Sequence, residues 1–426
     1  MPLVHDTAPL SLVQSEAIRT RFRWSDTTSA QRRTLIAAGL GWMLDAFDIM
    51  LYSLVLATLM REFGMSKSAA GLLNSVTLVA SAIGSFIFGL LADHYGRRKM
   101  LSLSILTYSL FTFACGFTTT VLALAVCRFL LGLGMGGEWN SGATLVAETW
   151  PSAWRGRAMG IVQSSWAVGY ALAAVVAGVV LAHANWRWVF FVGVLPAIVI
   201  FWIQHDVPEP DLWKRQRRAP LEDQQQKSAL WRAAFPRLIA LVAMNTFGMF
   251  AWWGLFTWIP AYLGLPVSQG GRGFQMFSVA SFLVVLNLLG MLPGYLLFGV
   301  FADWQGRKRT LIFYLVAAAI FVPVFAAARH PVSILIAASL AAFFGTGFFT
   351  GSGIIGSELF PTPIRATALG ISYNLARAFG ALAPLLIGSV SQTRGLSWSF
   401  AMCGVSFALA AASALWIPET RGIELV

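Results

Sequence analysis

The chain has 426 residues; 57% are hydrophobic, 11% are charged, and the mean hydropathy is +0.70. A soluble globular chain carries about 25% Asp, Glu, Lys and Arg, so this one lacks the charge to coat a water-facing surface and reads as a multi-span membrane protein. Disorder, a collagen-like fibre and a disulfide scaffold are excluded. The net charge of +12 comes from basic residues in short loops between apolar runs, a placement that the positive-inside rule explains and nucleic-acid binding does not.

Residues 1–34 are polar and carry Arg19, Arg21, Arg23, Arg32 and Arg33, with no apolar stretch ahead of a small-residue cleavage site, so no removable signal peptide is expected. From Leu35 onward, apolar runs of about 20 residues recur, each long enough to cross ~30 Å of hydrocarbon as a helix. They predict twelve spans, at 35–58, 68–92, 100–118, 120–147, 158–182, 186–204, 237–263, 276–301, 309–328, 332–356, 366–391 and 396–417. The expected fold is therefore an all-α membrane protein of twelve transmembrane helices. An N-terminal six-helix bundle covers 35–204 and a second covers 236–418, with a polar linker at 205–235 and a short tail at 419–426. Placing the N-terminus in the cytoplasm gives that side 22 Lys and Arg residues and the other side 6, with Arg128 and Arg377 inside spans. Both termini and the linker are expected to be cytoplasmic, and the expected location is the cell inner membrane. The stretch from Trp213 to Arg218 reads either as a solvated connector or as an amphipathic element lying along the anionic inner leaflet. Cys115, Cys127 and Cys403 stand singly in apolar runs, in no metal or redox spacing.

The two halves repeat. "GLLADHYGRRKML" at 89–101 recurs as "GVFADWQGRKRTL" at 299–311, so Gly89, Asp93, Gly96 and Arg97 map onto Gly299, Asp303, Gly306 and Arg307 with an offset of 210. The same offset takes Glu148, Pro151 and Arg155 to Glu358, Pro361 and Arg365, and Pro208-Glu209 to Pro418-Glu419. An internal duplication of six-span units is the arrangement in which a ligand site forms near the bilayer midplane, between halves that rock.

The loop with Gly89, Asp93, Gly96, Arg97 and Arg98, and the fourth span with Arg128, Gly132, Gly134 and Gly136, resemble two motifs of the major facilitator superfamily. Within it, "LDAFDIMLYS" and "GLGMGGEWNSGATLVAETWP" resemble the sialate, lactate and pyruvate proton symporter branch, close to the aromatic-acid symporters. The resemblance covers about residues 35–420. It implies two pseudo-symmetric bundles working by alternating access, and a gating role for Gly89, Asp93, Gly96, Arg97, Arg98, Glu148 and Arg155, mirrored by Asp303, Gly306, Arg307, Glu358 and Arg365. The span-five Gly-Pro pattern of drug and proton antiporters is missing, because Gly169 and Gly178 are followed by no Gly-Pro pair.

Gly132 to Gly137 formally matches a dinucleotide fingerprint but sits inside a membrane-length run without βαβ context, and small residues for close helix approach explain it. No nucleophile, base or metal-ligand cluster suggests an enzyme, and no cofactor is expected beyond the proton as coupling ion. Charges inside spans are the sharper signal, since Asp, Arg or Lys at a helix centre costs roughly 2.5–3.5 kcal/mol. Asp48 and Arg128 share a depth of about 20 Å from the cytoplasmic edge, so the two can pair. Asp45 is one turn below, and two such carboxylates would hold a proton more readily. Asp45, Asp48 and Arg128 are therefore the candidate proton-coupling group, against the plainer reading of a structural ion pair. Glu138, nearer the cytoplasm, fits a functional or a structural role equally. In its Asp93, the gating loop needs a partner, which Arg97 or the start of span eleven could supply.

Arg377 has no acidic neighbour in its half-span and would suit a carboxylate substrate, with Arg128 as the alternative anchor. Gln163, Asn245, Asn287 and Asn374 could add neutral hydrogen bonds, and Trp166, Trp252 and Trp253 an apolar wall. The resulting expectation is a monomeric symporter of a small organic carboxylate with protons, in contact only with substrate, protons and lipid. A proton-coupled exporter of metabolites or drugs remains beside it, as does a transporter-like sensor. The missing Gly-Pro pattern weighs against the first, and a tail and linker of about 30 residues each, too short for a signalling domain, weigh against the second.

Overall fold

A computed structural model describes residues 24–208 and 224–421, apart from a few side chains inside the helices. The expected leaflet element at 213–218 and the arginines up to Arg23 lie outside the described residues, as does the side chain of Asp93, Arg155 or Asn140. The described residues form helices and no strand. In chain order they are α1 (Ser29–Glu62), α2 (Lys67–Tyr95), α3 (Arg97–Cys115), α4 (Val121–Thr149), α5 (Ser152–His183), α6 (Trp186–Asp206), α7 (Gln224–Gly264), α8 (Met276–Gln305), α9 (Arg307–Ala327), α10 (Pro331–Leu359), α11 (Thr362–Gly380 and Leu382–Arg394) and α12 (Leu396–Ala414). Eleven are long and apolar enough to cross a bilayer. The remaining one, α3, has 19 residues and begins on Arg97, Arg98 and Lys99, with Ser102, Ser104, Ser109 and Thr112 buried in the bundle.

Capping and proline account for where helices begin and bend. At α1 the Thr28 hydroxyl accepts from Gln31 N while the Gln31 side chain accepts from Thr28 N, a reciprocal cap that starts the helix at Ser29 rather than near residue 35. In α6 the helix breaks at a 3₁₀ turn over Leu195–Ala197 that holds Pro196. A π turn over Leu286–Met291 interrupts α8 just before Pro293, which cannot donate to Leu289 O, and the Asn287 amide reaches back to Leu283 O at 2.8 Å. Between the two pieces of α11 stands Ala381, one turn beyond Arg377. α7 runs from Gln224, inside the stretch expected as linker.

The outward faces carry large apolar side chains such as Phe86, Leu122, Phe201 and Leu289, which suit lipid, while Asp45, Asp48, Arg128, Glu138 and Arg377 are buried inside. One end of the bundle collects the starts of α1, α3, α7 and α9, and the basic loops; it is called the basic end below, and the opposite end the far end.

At the basic end the duplication is visible atom by atom. Gly96 and Gly306 both sit at φ 104°, a left-handed value that favours glycine, where each chain turns from one span into the next. Arg97 reaches Glu148 Oε1 at 2.9 Å and Ala92 O at 2.9 Å, and Arg307 reaches Glu358 Oε1 at 3.4 Å and Ala302 O at 3.0 Å. Arg307 also holds Asp303 Oδ1 at 2.5 Å. Arg97 is thus tied to Glu148 on α4, and in the second half Arg307 bridges both Asp303 and Glu358. Past α12, Glu419 accepts the backbone N–H groups of Arg307, Lys308, Thr420 and Arg421, closing the start of α9. Partial burial raises the Glu419 carboxyl, but these four bonds outweigh it and hold the group below the ordinary glutamate value. Thr420 bonds the other oxygen of Glu358 at 2.6 Å. Arg98 bonds Val207 O and Arg365 bonds Phe360 O, each tied to backbone in its own half.

Candidate functional site

Midway along the bundle both halves contribute to the walls of one cavity. Its walls are Trp42 of α1, Gln163 and Trp166 of α5, Trp252 and Trp253 of α7, Tyr295 of α8, Phe349 of α10, and Tyr373 and Arg377 of α11. Trp166 is the hub, with its ring centroid 4.7 Å from Trp42, 5.8 Å from Trp252 and 6.0 Å from Trp253. Toward the basic end, Trp139 of α4 stacks across the halves on Tyr373 at 5.5 Å and touches Trp42 at 4.4 Å. The rings around Trp166 meet edge-on or tilted, arrangements their quadrupoles favour.

Arg377 is the one cation in that wall. Its residue is 1% exposed, Nη1 meets no acceptor, and the guanidinium lies 5.5 Å from the Tyr373 ring. The acidic residues that feel its charge come from the other half: Asp45 of α1 and Glu138 of α4, each 1% exposed, each with one carboxyl oxygen lacking a hydrogen bond. Glu138 packs against α1 at Gly41. The sequence placed no acid near Arg377 because its own half-span has none. Bundle packing supplies two.

Asp48 and Arg128 do not pair. The Thr112 hydroxyl lies 3.1 Å from Asp48 Oδ2, and the other oxygen is turned toward the break in α6 at Gly193. Arg128 gives Nη2 to Asn74 Oδ1 at 2.9 Å and sits 4.2 Å from the Tyr52 ring. Three residues on a helix differ by about 300° in direction, so Asp45 faces the Arg377 side while Asp48 turns to α3 and α6. The expected trio is thereby divided. Asp45 joins Glu138 and Arg377, Asp48 joins Thr112, and Arg128 joins Asn74, whose Nδ2 donates across the halves to Thr257 Oγ1 at 2.9 Å.

Of the expected neutral partners, Gln163 and Trp252 line the cavity and the asparagines do not. Asn245 donates to Ser372 Oγ at 2.9 Å, Asn287 belongs to the π turn, and Asn374 lies on α11 with its Oδ1 unpaired. Trp42, Tyr295, Phe349 and Tyr373 went unread in the sequence, since an aromatic residue inside an apolar run carries no mark of which face it occupies. The same holds for Asn74 and Thr112. A polar residue one or two turns into a span was the available signal for Asn74. A buried indole N–H without an acceptor costs about 1–3 kcal/mol, and Trp42, Trp166 and Trp252 each leave one in the cavity wall.

A family model described as "Major Facilitator Superfamily" matches residues 38–279 and 272–424. The chain is 34% identical over 415 residues to a "Probable 4-methylmuconolactone transporter" of Cupriavidus pinatubonensis, covering 95% of this chain and 94% of that one. It is 31% identical over 395 residues to the "Cis,cis-muconate transport protein" of Acinetobacter baylyi, covering 90% and 94%. Among solved structures, the xylose transporter XylE from E. coli in a partially occluded inward-open conformation matches with a TM-score of 0.75 and 18% identity, over 93% of this chain and 100% of its own. At that identity the likeness is one of fold.

Proposed function

The chain belongs to the major facilitator superfamily, and from that premise we propose that it carries a small organic carboxylate into the cell together with protons, by alternating access across the inner membrane, with both termini in the cytoplasm. The observation that carries this reading is one buried cation, Arg377, in a cavity shared by both halves, with two buried carboxyl groups in its field. A substrate carboxylate takes the guanidinium as a planar fork. Three anions would then surround one cation, unless a proton arrives with the substrate and neutralises Asp45 or Glu138. Co-binding of anion and proton is the essence of symport. The names of the relatives, which specify muconate and a muconolactone, agree with an acid as cargo.

In this mechanism Arg377 holds the substrate, the aromatic wall excludes water, and Asp45 with Glu138 holds the travelling proton. Asp48, set against Thr112 and the α6 break, is a second carboxyl reachable from the same helix. Arg128 fixes α4 to α2 and, through Asn74, to α7. The paired loops with Arg97–Glu148 and Arg307–Glu358 stiffen each half at the basic end so that it rocks as a body. Uptake of labelled acid into proteoliposomes tests this. An inside-alkaline gradient should drive accumulation, Asp45→Asn with Glu138→Gln should abolish accumulation while sparing counterflow, and Arg377→Ala should remove binding. Accumulation indifferent to the gradient, or normal affinity in folded Arg377→Ala protein, would refute the proposal.

A further inference from the structure

The donors around the cavity carry the substrate class one step further, resting on the carboxylate reading above. Trp42, Trp166 and Trp252 are each no more than 3% exposed, all three line the cavity, and each leaves its indole N–H without an acceptor. An indole N–H can only donate, and a guanidinium can only donate. Buried donors are nearly always satisfied in folded proteins. Three indoles and Arg377 Nη1 around one cavity are therefore complementary to a ligand that accepts hydrogen bonds at more than one place.

Charge decides what the second acceptor is. Arg377 is the single cation in the cavity wall, and it already stands in the field of Asp45 and Glu138. A second carboxylate on the ligand would find no cation there and would face two acids. A neutral acceptor meets indole N–H groups without that penalty. The walls themselves are ring faces and edges, which suit a flat body.

We infer that the site selects a planar monocarboxylate bearing a second, uncharged acceptor, such as a ring nitrogen, a lactone carbonyl or a keto oxygen, with Trp42, Trp166 and Trp252 as the residues that read it. An acid with a plain hydrocarbon ring satisfies Arg377 and leaves the indoles unpaired. A dicarboxylate satisfies the indoles and leaves a charge unpaired.

Calorimetry on the purified chain in lipid nanodiscs, with four single-ring acids of similar size, tests the inference. Nicotinate and 2-pyrone-5-carboxylate should bind about five- to tenfold more tightly than benzoate, the worth of one added hydrogen bond, and terephthalate should bind more weakly than benzoate. Trp→Phe at position 42, 166 or 252 keeps a ring and removes the N–H, so at least one of these variants should shrink the ratio of nicotinate or pyrone affinity to benzoate affinity toward one. Equal affinity for all four acids, tighter binding of terephthalate, or a preference that survives all three variants would overturn this inference and leave the carboxylate reading standing. Failure of the unaltered chain to bind any of the four would overturn both. Should a Phe variant not fold, the wild-type ranking still decides, since it needs no substitution.

Discussion

Arg128 is a buried cation held by an amide and a ring, with no carboxylate in contact. Its guanidinium bonds Asn74 and faces Tyr52, and Asn74 in turn bonds Thr257 of the second half. A hydrogen bond to a charged group contributes about 1.5–3 kcal/mol, so Asn74→Leu should destabilise the folded chain by about that amount. Thr257→Val, which removes only a neutral acceptor, should cost about 1 kcal/mol. Thermal unfolding in detergent checks the order. Equal melting of the two variants would mean that Tyr52 alone holds Arg128. The depth of Arg128 could be read from its place in an apolar run, but its partners could not. Asp48 was the natural choice at equal depth, and it faces elsewhere because depth says nothing about rotation around a helix axis.

Pairs of helices touch where side chains vanish. A Cβ placed on Gly136 of α4 would lie 2.0 Å from Ser81 O and 2.4 Å from Ser85 N of α2, backbone atoms that cannot move aside. The Ser85 hydroxyl donates to Gly136 O at 3.0 Å across that contact. Gly136→Val should therefore push α4 off α2 and sharply lower the yield of folded protein in membranes, whereas Gly160→Ala, which meets nothing within 4 Å, should leave it near normal. Fluorescence-detected size exclusion of tagged variants separates these outcomes, and a folded Gly136→Val chain would contradict the close crossing. Elements of this kind were largely legible. The apolar runs reveal the spans, the 210-residue offset reveals the duplication, and the glycine spacing marks the crossing. What stayed hidden needs three dimensions. The ties from Arg97 to Glu148 and from Arg307 to Glu358 each join residues 51 apart, and the breaks in α6 and α11 lie near Pro196 and Pro384, inside runs that stay apolar.

Across the whole molecule, the described hydrogen bonds that join the two halves gather between the cavity and the far end. Lys67 Nζ bonds Gln269 O, Ser68 meets Ser389, Leu385 N bonds Ser75, Asn74 bonds Thr257, and Tyr170 bonds Phe256 O. Under the proposed alternating access, rocking would break this set. The hydroxyls of Ser68 and Ser389 are 2.9 Å apart, so a Ser68→Cys, Ser389→Cys chain should form a disulfide on mild oxidation. Transport should stop when it forms and resume on reduction; transport unaffected by a formed disulfide would mean that the far end does not open. The same division into halves also sets a timetable for synthesis. Asp45, Asp48 and Glu138 belong to the first half, whereas Arg377, the cation for two of them, lies about 240 residues after Glu138. At about 5–20 residues per second, a ribosome needs roughly 12–50 s to cover that distance. Throughout that interval the first bundle stands in the membrane with acids that await their counter-charge. Chain order thus leaves the first bundle waiting on the eleventh helix for the cation that faces two of its acids.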